Sequence, residues 1–514
     1  MTLFEWFIFF LIVQVIHFAG TWRMYEAAGR KRWEAAVPIY NAIVLMKIIN
    51  RPTWWTILLF VPVVNLIMFP VVWVETLRSF GKNSTLDTIL GIVTGGLYIY
   101  YVNYTQELNY IPDRSIVPAN KTNDTISSIL FAVIVATIVH TYIMQPFTIP
   151  TSSLEKSLLV GDFLFVSKFH YGARTPKTAV AFPMVHDTIP FLNVKSYRDW
   201  PQLPSFRFPG FEKIERNDIV VFNWPADTVR FFRDTKSVGI RKPVDKKSNY
   251  VKRCVGVPGD SISIVKGIVM IDGKALQLPL RAMPQYSYNV TTNGGGLDPN
   301  YLLHDLNITD GIYQTGEKTF HFRALTEVSA ERLRNNPSIV SVERFIATEG
   351  EFNIFGGKGE WNSDNMGPIY IPEQGKTVEI NTNTLRFYKK IIQEYEHNTL
   401  EVNGNEIKIN GKVANNYTFK QDYYWMMGDN RHNSEDSRYW GFVPMDHVVG
   451  KPVFIFMSLD QTKSGFAKIR WDRVFTTVSG EGKRVSYFTH FLVLLGIYFG
   501  LSYFLKKRGE KKGN

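Results

Sequence analysis

The densest chemistry in the chain lies in Met427-Gly-Asp-Asn-Arg-His-Asn-Ser-Glu-Asp-Ser-Arg-Tyr-Trp-Gly441. Every residue from Asp429 to Arg438 is polar or charged, yet apolar, aromatic runs flank this stretch at Tyr423–Met427 and Tyr439–Val443. A polar knot between buried strands is costly unless its groups satisfy one another, and proteins accept that cost mostly where the groups do chemistry. Gly-Asp-Asn is also turn chemistry, so a solvated turn is the plain alternative. Three further segments carry compact polar patterns: Gln145-Pro-Phe-Thr-Ile-Pro-Thr-Ser-Ser-Leu-Glu-Lys-Ser-Leu-Leu-Val-Gly-Asp162, Arg216-Asn-Asp-Ile-Val-Val-Phe222 and Asn249-Tyr-Val-Lys-Arg-Cys-Val-Gly-Val-Pro-Gly-Asp260. A serine hydroxyl attacks well only when a base takes its proton. The first and last of these segments contain no histidine, which argues against a His-based triad. A lysine kept neutral by burial is the other known base. Lys252, among apolar neighbours in a strand-like pattern, suits that role.

In their order and content the four segments resemble the characteristic boxes of the type I signal peptidases, membrane-bound serine endopeptidases of bacteria. The resemblance implies that Ser153 is the nucleophile and Lys252 the general base. It implies an oxyanion hole made by the Ser153 N–H and the Thr151 hydroxyl, a donor type that contributes about 3 kcal/mol to such barriers. Ser434 would hydrogen-bond the lysine amine, and Asp436 with Arg438 would hold the box in shape. Arg253 is expected to pair with Asp429 or Asp436. His432 falls at a variable family position. The chain departs from the family at Leu154, where Met is common, at Lys156-Ser157, where Pro-Thr is usual, and at Thr151, which replaces Ser but keeps a hydroxyl.

Plainer readings stand beside these. Ser153 could cap a short helix, Lys252 could be a strand lysine facing water, and Asp436–Arg438 could be structural only. Cys254 reads as a packed small hydrophobe. A second pattern, Ser153-x-x-Lys156, Ser363-Asp-Asn365 and Lys463-Ser-Gly465, is similar to the three motifs of penicillin-binding proteins and serine β-lactamases, and would make Lys156 the base. In that family the Ser-x-x-Lys opens a long buried helix, whereas here Gly161-Asp162 and a β-rich run follow. A catalytically inert, membrane-anchored β adaptor is the non-enzyme alternative. No Cys/His spacing suggests a metal and no Gly-rich loop suggests a nucleotide, so no cofactor is expected.

The chain has 514 residues, Lys+Arg 58 against Asp+Glu 46, a net charge of +12 and one cysteine. Basic balance suits an anionic membrane surface better than nucleic acid here, because basic residues flank frequent apolar segments. Ile126–Met144 and Val485–Leu505 are long enough to span a bilayer at roughly 20 residues. Leu3–Gly20, Thr56–Val74 and Leu86–Val102 are further candidates, and Ala35–Ile49 could lie in the interface. The basic tail from Lys506 and the Arg23–Trp33 segment place both on the cytoplasmic side by the positive-inside rule. The region between the last two spans then faces the periplasm or exterior of a multi-pass protein of the bacterial inner membrane.

The expected organisation is an N-terminal multi-helix region at 1–112, a linker and span at 113–145, an extracytoplasmic domain at 146–484 and a C-terminal span with a basic tail at 485–514. Within the extracytoplasmic domain, 263–423 reads as an insertion or second β subdomain. The fold expected is a mainly β catalytic domain of twisted antiparallel sheets, anchored by transmembrane helices at both ends. Hairpins are expected at Asp272-Gly273, Asn403-Gly404 and Asn410-Gly411. A helix is expected at Thr384–His397, with Leu385, Tyr388, Ile391, Ile392 and Tyr395 on one face. The partners implied by the resemblance are exported preproteins cut after small residues, membrane lipids and a neighbouring translocon, with no nucleic acid.

Overall fold

The strand Ile219–Asn223 is buried at every position because both of its faces are covered. Ile219 and Val221 pack with Ile149, Leu154, Leu158 and Leu164, while Val220 and Phe222 pack with Cys254, Met426 and Trp440. This is the two-residue alternation of a strand between two apolar layers. In the computed structural model, which describes residues 2–117, 121–192, 194–229, 239–294 and 296–510, this strand belongs to an antiparallel sheet. The strand order is Met144–Thr148, Asp162–Ser167, Val448–Ser458, Ile219–Asn223, Asn249–Gly256, Tyr423–Met427 and Val443–Pro444, with Thr476–Thr477 added beside Val448–Ser458. Three of the pairings, Asp162–Ser167 with Val448–Ser458, Val448–Ser458 with Ile219–Asn223, and Asn249–Gly256 with Tyr423–Met427, join distant parts of the sequence and bring the boxes together.

Two smaller sheets follow from the chain between the central strands. Ser261–Val265, Ile268–Ile271, Lys274–Ala275 and Met366–Tyr370 form one. Ile312–Gln314, Thr319–Thr326, Gln285–Thr292 and Ile339–Arg344 form the other, with the helix Glu327–Arg334 and its own core around Tyr288, Phe322 and Leu333. The three expected hairpins all form. At Asp272-Gly273 and Asn410-Gly411 both loop residues have positive φ, the demand of a type I′ turn. The loop after Asn403 is Gly404-Asn405, since Asn403 itself pairs with Glu406. The expected helix runs from Leu385 to Lys390 and continues as a wider turn through Tyr395, and all five face residues are buried.

The described residues group into two compact units that do not follow chain order. One holds Met144–Ala173, Pro209–Asp227 and Ser248–Asn514. The other holds Met1–Ile143 together with Arg174–Phe208 and Thr228–Lys247, two segments that the sequence reading kept inside 146–484. Local contacts explain the grouping of the first segment: the Trp6 indole donates to the Gln202 carbonyl at 2.8 Å, and Tyr142 meets the ring of Phe208 edge to face.

Among the described residues, three helices are long and apolar enough to cross a membrane: Leu3–Ala27, Lys121–Ile143 and Phe488–Leu505. The expected span Thr56–Val74 is interrupted, with short Trp55–Leu58 separated from Val64–Ser79 by Pro62 and a positive φ at Val63. The expected span Leu86–Val102 is bent by 120° between Thr85–Val93 and Tyr98–Thr105. Gly95 and Gly96, both at positive φ, make the bend. Ala35–Ile49 contains only the short helix Tyr40–Ile48.

The Ile392 side chain is fully buried among Val255, Trp425 and Phe442 in the largest core. Ile392→Ala is expected to lower stability by about 3 kcal/mol through the cavity it leaves, read as a fall in the thermal unfolding midpoint of the full chain in detergent.

Candidate active site

Lys252 sits in the strand Asn249–Gly256, opposite Val220 on one side, while its neighbour Arg253 pairs with Met427 on the other. One residue further along that second ladder lies Gly428, the start of the polar box. Cross-strand partners share a face, so Lys252 lies on the side of Val220 and Cys254, with the Tyr250 ring 5.7 Å from its amine. Tyr250 is in turn held by stacked Trp224 and by Trp440. The side chain is 3% exposed. Burial pushes its amine down from 10.5 to about 8, against the pull of Asp436 and with the help of Arg438.

Ser153 follows a strand-like approach. Thr151 is extended, its hydroxyl makes no capping bond, and Ser152–Leu154 form one tight turn with Ser153 inside it. Ser153 is therefore not a helix cap. The turn lies against both the lysine strand and the turn Arg431–Asn433. The Asn430 N–H donates to the Ser153 carbonyl at 3.0 Å. Gly428 makes the closest approach: a Cβ there would lie 2.2 Å from Ser434 Oγ and 2.5 Å from the Ser153 carbonyl oxygen. No side chain fits, so the box can touch both serines only because this residue is glycine.

Two of the acids in the box, Asp429 and Asp436, are paired with arginines. Arg438 donates to both oxygens of Asp436 at 2.9 and 2.8 Å, and the same carboxylate accepts from the Gly428 N–H. Burial alone would raise Asp436, and Arg438 outweighs it and holds the carboxyl below its usual range. Arg253 donates to both oxygens of Asp429 at 2.8 and 2.6 Å, with Ser157 completing the set at 2.5 Å. Here too burial opposes and Arg253 prevails, so Asp429 stays below its usual range. The partner of Arg253 is thus Asp429 and not Asp436. His432 accepts from the Ser287 N–H and lies 3.1 Å from Asp364. Ser434 is 8% exposed and its hydroxyl has no partner among the described residues. The expected hydrogen bond from Ser434 to Lys252 is not formed, because the hydroxyl is packed over Gly428. Cys254 is fully buried and its thiol is pushed up by burial, which makes it inert.

The alternative motif does not assemble. Lys156 donates to the Asn307 carbonyl and Thr309. Lys463 is 59% exposed beside Asp460. Ser363 bonds Glu351, and Asp364 supports His432. No long helix follows Ser153.

A family model described as signal peptidase, peptidase S26, matches residues 122–327 and 370–457, more than half of the chain. The chain belongs to this family. A second model, of a family of unknown function, matches residues 33–113. Signal peptidase I of Buchnera aphidicola subsp. Baizongia pistaciae is 25% identical over 351 residues, 68% of this chain and 82% of that protein. Signal peptidase I of Helicobacter pylori strain J99 is 26% identical over 377 residues, 70% of this chain and 93% of that protein. The Haemophilus influenzae signal peptidase I is 24% identical over 372 residues, 70% of this chain and 77% of that protein.

All eight residues read as site residues from the family boxes lie in these strands and turns of one unit: Thr151, Ser153, Lys252, Arg253, Asp429, Ser434, Asp436 and Arg438. Four contacts carried no sequence signal. Ser157 on Asp429, Asp364 on His432, and Asp310 on both Asn430 and Asn433 join residues 68 to 272 positions apart. Gly428→Ala is expected to lower the cleavage rate about 100-fold by displacing the serine turn, and to lower stability by about 1–3 kcal/mol through overpacking. Peptide cleavage and thermal unfolding of the purified chain measure the two effects separately.

Proposed function

We propose that this protein is a membrane-bound serine endopeptidase that removes signal peptides from exported preproteins. The observation that carries the reading is Lys252, a buried amine with its titration lowered to about 8, on a strand touching the Ser153 turn. In the reaction Ser153 Oγ attacks the scissile carbonyl carbon and gives its proton to neutral Lys252. The developing oxyanion is met by the Ser153 N–H and the Thr151 hydroxyl. The C–N bond breaks as the lysine returns the proton to the leaving amine. Water, deprotonated by the same lysine, then releases the acyl group. The Ser434 hydroxyl, without a partner among the described residues, turns to the lysine amine during the reaction, while the Asp436–Arg438 and Asp429–Arg253 pairs keep the box in shape.

The anchors are read as Lys121–Ile143 before the catalytic domain and Phe488–Leu505 after it, with at least one crossing further upstream. The catalytic domain, 146–484 in chain terms with 263–423 inserted, faces the periplasm or exterior, and the basic tail faces the cytoplasm. Membrane lipids and the translocon are neighbours in this reading. Exposed Trp200, Phe206 and Phe208, on a segment bonded to Trp6 and packed on Tyr142, support contact with the lipid surface.

The test uses the full chain in detergent with a fluorogenic Ala-x-Ala peptide. Ser153→Ala and Lys252→Ala are expected to abolish cleavage, Ser434→Ala to lower it partly and Lys156→Ala to leave it intact. Wild-type rates in Lys252→Ala would sink the mechanism, and loss in Lys156→Ala alone would move the base. Cleavage should rise with pH through about 8, where the amine loses its proton. In the unfolded chain the amine holds its proton up to 10.5, so between these values the unfolded state binds more protons and stability rises with pH. Below about 8 the buried lysine costs the fold about 3 kcal/mol. Lys252→Met is therefore expected to abolish cleavage while raising the unfolding midpoint at pH 7.

A further inference from the structure

Lys156 and two asparagines of the box converge on one loop of the inserted region. Lys156, turned at a φ of 70°, donates to the Asn307 carbonyl at 2.5 Å and to Thr309 Oγ1 at 3.3 Å. Three residues beyond Asn307, Asp310 accepts from Asn430 Nδ2 at 2.6 Å and from Asn433 Nδ2 at 3.3 Å. The same two amides hold the serine turn. Asn430 Nδ2 also donates to the Ser152 carbonyl at 3.2 Å, and Asn433 Nδ2 to Ser152 Oγ at 2.9 Å. With the Asn430 N–H on the Ser153 carbonyl, three bonds from the two asparagines end on the residue before the nucleophile or on the nucleophile itself. Four residues, Asn307–Asp310, thus grip the serine turn from both flanks.

The chemistry of the carboxylate makes the grip directional. An ionised carboxylate only accepts hydrogen bonds, so it selects the NH₂ face of each amide. Asn430 is fully buried, and its Oδ1 has no partner among the described residues. A flipped amide would turn that oxygen toward the Asp310 carboxylate and the Ser152 carbonyl, two acceptors. Asp310 therefore fixes the orientation in which Asn430 donates to Ser152, and an orphaned buried oxygen is the cost the site carries for it.

We propose that Asp310 is a positioning residue for cleavage: through Asn430 and Asn433 it holds the Ser152–Ser153 turn in the conformation that presents the Ser153 hydroxyl and N–H to the scissile carbonyl. The inference rests on Ser153 being the nucleophile. It gives the inserted region a part in catalysis.

The experiment compares Asp310→Ala, Asp310→Asn, Asn433→Ala and the Asp310→Ala/Asn433→Ala double variant with Ser153→Ala, as full chains in detergent with the fluorogenic peptide. Asp310→Ala is expected to lower kcat by about 10- to 100-fold. KM should stay within about twofold, because the loss is one of orientation and not of ground-state binding. The pH-rate limb and the unfolding midpoint should match the wild type. Asp310→Asn, which keeps one acceptor oxygen, should recover part of the rate. The double variant should be no slower than the slower single one, because both act through one connection. A wild-type kcat in Asp310→Ala, a loss that follows the unfolding midpoint, or additive losses in the double variant would each overturn the inference. An inactive Ser153→Ala beside a normal Asp310→Ala removes this inference alone, whereas an active Ser153→Ala removes the nucleophile reading beneath it.

Discussion

A lysine amine is strongly hydrated, and the fold takes that water away from Lys252. Apolar Val220, Cys254 and Tyr250 flank it, and the strands on either side deny it solvent. The remaining question is why the nearby carboxylates do not restore its charge. Asp436, Glu435 and Asp429 all favour the protonated amine, but burial outweighs them, and Asp436 and Asp429 are already held by Arg438 and Arg253. The arginines spend the carboxylates on themselves, and Arg438 adds its own repulsion. The dense polar box therefore makes sense as an arrangement of charge: arginines hold Asp436 and Asp429, and Glu435 is left as the carboxylate near the amine that no arginine among the described residues holds. Domains of this kind are stable by only about 5–15 kcal/mol, so the other buried pairs and the surrounding cores have to offset this cost.

Much of this was legible because it is local. The nucleophile, lysine and box segments each occupy fewer than twenty consecutive residues, and their types announce themselves. The hairpins were legible because Asp-Gly and Asn-Gly meet a φ requirement that few other pairs satisfy. The helix around Ile391 was legible from one apolar face. The partner of Arg253 was legible only as Asp429 or Asp436, because spacing along a strand says which side a residue faces and not which acid lies across it. The unmade bond of Ser434 was hidden for a similar reason. Whether its hydroxyl meets the lysine depends on its packing over Gly428, a relation across a turn that no spacing records.

The second motif shows how spacing misleads. Ser153-x-x-Lys156 places two reactive groups three residues apart, which on a helix means one face. A left-handed Lys156 ends that geometry after a single turn and sends its amine toward Asn307. The membrane region misled in the opposite direction. Thr56–Val74 has the composition of a span but is broken at Pro62 and Val63, and Leu86–Val102 is bent at a glycine pair into two helices that together still have a span's length and apolarity. The segment Arg174–Phe208 was unreadable because its place is set by contacts with helices far upstream in the chain.

The bond between Asn433 and Ser152 joins residues 281 positions apart, and the one between Asn430 and Asp310 joins residues 120 apart. Closing such loops has to precede any reward from the contacts they make. On the proposed reading, synthesis delivers the nucleophile Ser153 first, its base Lys252 about a hundred residues later and the box at 427–441 last of the three. On that reading, a chain not yet made as far as Gly441 carries Ser153 without the means to use it. The order of the segments along the chain is then a built-in delay, in which the attacking group is made long before the part that holds it in place.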